Sequence, residues 1–252
     1  MSANAQSLDL AALEREDIRR HGLRAFVRAA WPLVESAPFV DNWHIGLISE
    51  ILEAVHRREI KRVIINVPPG CMKSLLVSTF WPAWTWTLDP PHRFIYATYE
   101  QGLSMDHARK MREVILSPWY QARWPSVRPA AVKKVGYIVN TAGGFRYSTS
   151  IGGSVTGRHA DTHVVDDPIK PKDTLGGADA TRKLLTRAEQ FWSGTMATRR
   201  SDPARLARLI IMQRLHDADL AGVELAKGGY LHVMLPMKFE PKRAFSFSWL
   251  SS

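Results

Sequence analysis

Apolar residues recur at helical spacing over residues 8–30, where Leu10, Leu13, Ile18, Leu23, Phe26 and Val27 are interleaved with charged positions; an amphipathic helix is predicted there. Pro32 and Pro38 interrupt the stretch after it. A second helix is predicted over about 43–57 on Ile45, Ile48, Ile51, Leu52 and Val55. The pattern then changes. Residues 62–67 form a β-branched apolar run that ends at Pro68-Pro69-Gly70, which reads as a buried strand entering a tight turn. Ser74 opens a further helix whose apolar side carries Leu75, Val77, Phe80, Trp81 and Trp84, with Pro82 expected to kink it.

The remaining pattern repeats this alternation. A strand is predicted over 93–98, a helix over 101–116, and a hairpin over 136–151 around Asn140 and Gly143-Gly144. Residues 162–165 form a short strand closed by Asp166-Asp167-Pro168. After a Pro/Lys/Gly-rich loop (168–177) come a helix over 178–196, a strand over 208–212, a helix over 217–227 and a strand over 230–235. Helices alternating with β-branched strands predict an α/β fold, a mainly parallel sheet with helices on both faces. The Trp and Phe stripe after Ser74 is read as core.

Composition narrows the class. With 252 residues, 45% hydrophobic and 23% charged, the chain has the make-up of a folded globular protein. No apolar run approaches the roughly 20 residues needed to span a bilayer, so no membrane partner is expected. The one cysteine rules out an internal disulfide and a Cys-rich zinc site. The 34 Lys and Arg against 24 Asp and Glu leave a net charge of +10, which points to a polyanionic partner. The basic residues lie in short clusters (Arg19–Arg20, His56 to Arg62, Lys133–Lys134, Arg199–Arg200), each of which taken alone reads as solvated surface.

The sharpest chemistry lies at residues 64–74. A strand runs into Pro69-Gly70-Cys71-Met72, and Lys73-Ser74 begins a helix. Backbone N–H groups in such a turn can wrap an anion, a lysine adds charge at the outer phosphates, and a serine hydroxyl suits Mg²⁺. Val67 and Met72 stand where the pattern G-x-x-x-x-G-K-[ST] has its two glycines, and such turns also occur without ligands. About 90 residues on, Asp166 and Asp167 close a buried strand. The first acid of such a pair holds Mg²⁺ and the next orients the attacking water, whereas alone the pair would read as turn chemistry before Pro168. His216-Asp217 and Asp219 suggest helix capping more than metal ligation.

Over about 43–235 the sequence resembles the ATPase half of the tailed-bacteriophage large terminases. Trp43-His44 looks like the family's adenine-side motif, and residues 67–74 like its variant Walker A. Gly152 to Gly157 followed by Ala160-Asp161 and residues 164–168 look like the approach to its Walker B; residues 210–216 with Asp217, Asp219 and Leu220 look like its coupling motif. The resemblance implies a P-loop NTPase of the ASCE (RecA-like) type that uses ATP and Mg²⁺. It assigns Pro69, Gly70, Cys71, Met72, Lys73, Ser74, Trp43 and His44 to nucleotide binding, and Ser74 and Asp166 to the metal. Lys73, Asp167 and Arg158 are assigned to catalysis, with Arg146 as the alternative arginine finger, and Gln213 and Arg214 to coupling.

The same resemblance implies a ring homo-oligomer, expected as a pentamer, working in the host cytoplasm with double-stranded DNA, a portal protein and a small terminase subunit. It divides the chain into an N-terminal helical segment (1–42), an ATPase core (43–240) and a tail (241–252) where a nuclease would follow. After Asp219 the only carboxylates are Glu224 and Glu240, so ATP hydrolysis without DNA cleavage is expected. Two alternatives stay open: another P-loop ATPase acting on nucleic acid, and a non-catalytic binding module with a degenerate loop.

Overall fold

Val63, Ile64 and Ile65 are all fully buried in β1 (Arg62–Asn66), because this strand is covered on both sides. The structure, a computed structural model, describes residues 9–130 and 134–236. The predicted tail, Lys133, Glu240 and the first eight residues of the N-terminal segment lie outside the described residues. Seven strands form one sheet: β1, β2 (Arg93–Thr98), β3 (Tyr137–Val139), β4 (Phe145–Ser150), β5 (Thr162–Asp166), β6 (Ala207–Met212) and β7 (Leu231–Met234). Their order is β3-β4-β2-β5-β6-β1-β7, parallel throughout except for the β3–β4 hairpin.

Alternation along the strands sorts the core into two layers. Val63, Ile65, Phe94, Tyr96, Val164, Leu209 and Ile211 pack beneath α1 (Leu10–Ala30), α2 (Trp43–His56), the helix after the phosphate loop, α5 (Gln101–Leu116) and α6 (Pro118–Arg123). Ile64, Ile95, Val165 and Ile210 face the other way, onto α7 (Ala178–Gln190) and α8 (Leu220–Lys227). The N-terminal segment joins the first layer through Ile18, Leu23, Phe26 and Val27. Among the described residues no helix is long and apolar enough to cross a membrane.

Four helices depart from the expected pattern. First, α1 is broken at Gly22, whose φ of 66° takes the backbone out of the helix. The following N–H, that of Leu23, donates to the Glu53 carboxylate of α2 at 2.7 Å, so a neighbouring helix supplies the missing acceptor. Second, the helix after the loop that follows β1 begins as α3 (Lys73–Leu75), widens to a π-helical turn at Leu76–Phe80, and resumes as α4 (Trp81–Leu88). Pro82 therefore sits in the first turn of α4, where its missing N–H costs least. Third, α7 ends at Gln190 and passes through a π-turn at Phe191–Thr195. Last, the helix predicted over 217–227 starts at Leu220, because Asp219 caps it by accepting from the Gly222 N–H at 2.9 Å. The short helix α6, not expected from the pattern, comes directly after α5 and is capped by Ser117.

Candidate active site

The loop between β1 and α3 turns through two left-handed residues, Gly70 at φ 79° and Met72 at φ 58°. At Gly70 the space a Cβ would occupy is open, so the backbone presents itself to solvent there. Met72 takes the same conformation at a steric cost of roughly 1–2 kcal/mol. Its side chain and that of Cys71 pack against the first core layer. This is how a methionine holds a turn that glycine usually makes.

Across from the loop, β5 delivers its two aspartates. The Ser74 hydroxyl donates to Asp166 Oδ1 at 3.0 Å, and the Ser78 hydroxyl donates to Oδ2 at 2.8 Å. The Lys73 ammonium lies 2.8 Å from Asp167 Oδ2, and the Gln213 N–H donates to Asp167 Oδ1 at 3.2 Å. Asp166 is fully buried and Lys73 is 8% exposed. Burial pushes the Asp166 carboxyl above the usual carboxylate range, against the pull of Ser78, Lys73 and Ser74. Asp167 is raised too, by burial and then by Asp166, with Lys73 opposing. Asp167 itself has φ 45°, a strained backbone for a non-glycine residue, directly after β5.

The donor set fits Mg²⁺. A hydroxyl and a carboxylate, both hard oxygen ligands, are already within hydrogen-bonding distance of each other, as expected of a cation that takes one or two protein oxygens and completes its shell with phosphate and water. Among the described residues there is no group of three or more His, Cys, Asp or Glu suited to holding a metal alone. His44 reaches this site from α2 by a hydrogen bond to the Cys71 backbone, and burial holds its imidazole below the ordinary histidine range. Trp43 beside it is 62% exposed, its ring edge-on to that of His44 at 6.1 Å.

No protein-family model matches the chain, and no curated protein does. Solved structures do. The large terminase of bacteriophage HK97 is similar over 88% of this chain and 45% of its own, with a TM-score of 0.52 and 13% identity. The large terminase of a thermophilic bacteriophage, in complex with ADP, is similar over 74% of this chain and 44% of its own, with a TM-score of 0.46 and 11% identity. The likeness is one of fold: a seven-stranded, mostly parallel α/β sheet covered by helices, shared with the HK97 large terminase. This chain spans less than half the length of either structure.

Three arginines singled out in the sequence make no direct hydrogen bond to Lys73, Ser74, Asp166 or Asp167. Arg158 stacks over the Tyr147 ring at 4.1 Å and the Tyr137 ring at 5.1 Å, on the outer hairpin. Arg214 is bound to Asp219 at 3.0 Å and to the backbone carbonyl of His216 at 3.2 Å. Asp219 also accepts from the Leu215 N–H at 3.1 Å, so residues 214–219 form a self-bonded turn after β6. Arg146, the alternative finger, is fully buried, and this corrects that assignment: a side chain enclosed in its own core cannot reach into a neighbouring subunit. Sequence reasoning missed Ser78. Its spacing of one helical turn from Ser74 is the signal that marks it as a second hydroxyl on the same face.

Proposed function

We propose that this chain is the ATPase motor domain of a viral terminase, hydrolysing Mg-ATP to translocate double-stranded DNA into a procapsid. The observation that carries the reading is the junction at which Lys73 and Ser74 of the loop meet Asp167 and Asp166 of β5. In this reading the N–H groups of residues 70–74 and the Lys73 ammonium bind the outer phosphates. Ser74 and Asp166 hold Mg²⁺, which when bound offsets charge on the phosphate oxygens. Asp167, once Lys73 turns to the phosphates, orients a water molecule and accepts its proton; its raised affinity for protons suits that task. Trp43 and His44 flank the base.

Coupling is carried by the bond between Asp167 and the Gln213 N–H, which ties the carboxylate to the turn carrying Arg214. Arg158, stacked against the outer hairpin, is the residue proposed to complete a neighbour's site in a pentameric ring. The surplus of +10 supports DNA as the polyanion, and the assembly would include a portal protein and a small terminase subunit in the host cytoplasm.

The test is a Mg-ATPase assay of wild type, Lys73→Ala and Asp167→Asn, with and without duplex DNA. The expected result is DNA-stimulated turnover in wild type, loss of nucleotide affinity in Lys73→Ala, and retained binding with about 10²–10⁴-fold slower turnover in Asp167→Asn. Arg158→Ala is expected to bind nucleotide normally and turn over about 10³–10⁵-fold more slowly. A wild-type protein that binds DNA but gains no thermal stability from Mg-ATP would instead be a non-catalytic binding module.

A further inference from the structure

Arg146 is a charge in the interior with no carboxylate against it. It projects from β4 into the layer beneath the phosphate-loop helix and has no solvent exposure. Its Nε donates to the Ser78 carbonyl at 3.2 Å, its Nη1 donates to the Ser148 hydroxyl, and its guanidinium lies 4.3 Å from the Tyr96 ring centroid. Nη2 has no hydrogen-bond partner. Among the described residues no Asp or Glu forms an ion pair with it. Burying such a group costs several kcal/mol, so stability alone does not account for it.

Its main contact leads to the loop–aspartate junction. Ser78 lies within the π-turn, and Pro82, four residues on, has no N–H to offer its carbonyl. Arg146 donates to that carbonyl. Ser78 is therefore held from two sides: its carbonyl by Arg146, and its hydroxyl against Asp166 Oδ2. With Oδ2 fixed, Oδ1 is directed at Ser74. The relay Arg146–Ser78–Asp166–Ser74 runs from β4 through the π-turn to the end of β5. Asp166 is also the carboxylate whose charge bears on Arg146 across this relay.

We propose that Arg146 is a positioning residue that, through Ser78, fixes the Asp166 carboxylate so that Oδ1 and the Ser74 hydroxyl form a ready pair of oxygen donors for a divalent cation. This rests on the metal role given to Ser74 and Asp166 above. Outer partners of a metal ligand typically change metal affinity by about 10–100-fold when removed.

The experiment uses Mn²⁺ as the probe, its binding read by electron paramagnetic resonance in the presence of ADP. The variants are Arg146→Lys, Arg146→Met, Ser78→Ala and the Arg146→Met/Ser78→Ala pair, each checked for folding by circular dichroism. Arg146→Met and Ser78→Ala are each expected to weaken Mn²⁺ binding about 10-fold or more, and the double variant no further, because both break one relay. Arg146→Lys, which still donates to the Ser78 carbonyl, is expected to keep most of the affinity. ADP affinity in EDTA is expected to be unchanged throughout. A folded Arg146→Met with wild-type Mn²⁺ affinity, or additive losses in the double variant, overturns the proposal. If Arg146→Met does not fold, a Ser78→Ala protein with wild-type affinity does so. A wild-type protein that takes up no Mn²⁺ with ADP overturns the metal site itself, a different failure from a working site indifferent to Arg146.

Discussion

The Lys73 ammonium and the Asp167 carboxylate meet at 2.8 Å across the gap between the phosphate loop and β5, with both side chains largely withdrawn from solvent. Removing only the lysine leaves a buried carboxylate without its cation. Lys73→Ala is therefore expected to lose about 3–5 kcal/mol of stability at neutral pH, beyond its effect on nucleotide. Adding Asp167→Asn should restore part of that loss. Urea unfolding of the two single variants and the double variant measures the coupling, and equal additive losses would show that the pair contributes nothing.

The break in α1 makes a second, independent prediction. A Cβ on Gly22 would stand 2.2 Å from Glu53 Oε1, at a φ that side chains rarely adopt. Gly22→Ala is expected to cost about 1–3 kcal/mol or more. Glu53→Gln keeps an oxygen for the Leu23 N–H and should cost little, whereas Glu53→Leu strands that N–H at about 1–3 kcal/mol. Thermal melting of the three variants distinguishes these outcomes.

Burial depresses three histidines, His56, His107 and His163, each to about 4, chiefly by withdrawing the imidazole from water. In the unfolded chain all three titrate near 6.5. Between these values the unfolded state binds more protons than the folded one. The stability they contribute is thus complete above about pH 6.5 and is lost as pH falls towards 4. Unfolding midpoints in urea should drop steadily over that window, and His163→Gln should flatten the slope. A profile unchanged by that substitution would assign the acid sensitivity elsewhere.

Cys71 sits half-exposed inside the phosphate turn and is the one cysteine of the chain. Under the proposed function, a maleimide added there would fill the space a nucleotide would take. Alkylation is expected to abolish ATP binding, and Mg-ATP to slow the alkylation in turn. Mass spectrometry of labelling rates with and without Mg-ATP is the check, and equal rates would count against nucleotide in this loop.

Most of the sheet was legible because its strands are buried on both faces, so that runs such as Val63-Ile64-Ile65 and Val164-Val165 announce themselves without alternation. The meeting of Lys73 and Ser74 with Asp167 and Asp166 was legible for a related reason: each pair follows directly on a buried strand, and parallel strands of one sheet bring such ends to the same edge. What escaped was set by tertiary partners. The break at Gly22 depends on Glu53, which supplies an acceptor from another element. Arg146, in a hairpin that alternates polar and apolar residues, gave no sign of lying inside the protein. The helix α6 is the exception, since Ser117 followed by Pro118 is a capping signal present in the sequence.

Met72 in the left-handed region has a consequence for how such loops are built. Glycine secures that curvature by permitting it; here the thioether is anchored in the core beneath and drags the backbone into shape from below. Replacing it with glycine would ease the dihedral yet cut the anchor, leaving the cradle better relaxed and less firmly moored. The curvature of the loop is in this case tied to the apolar interior, so small repackings beneath it reach its rim.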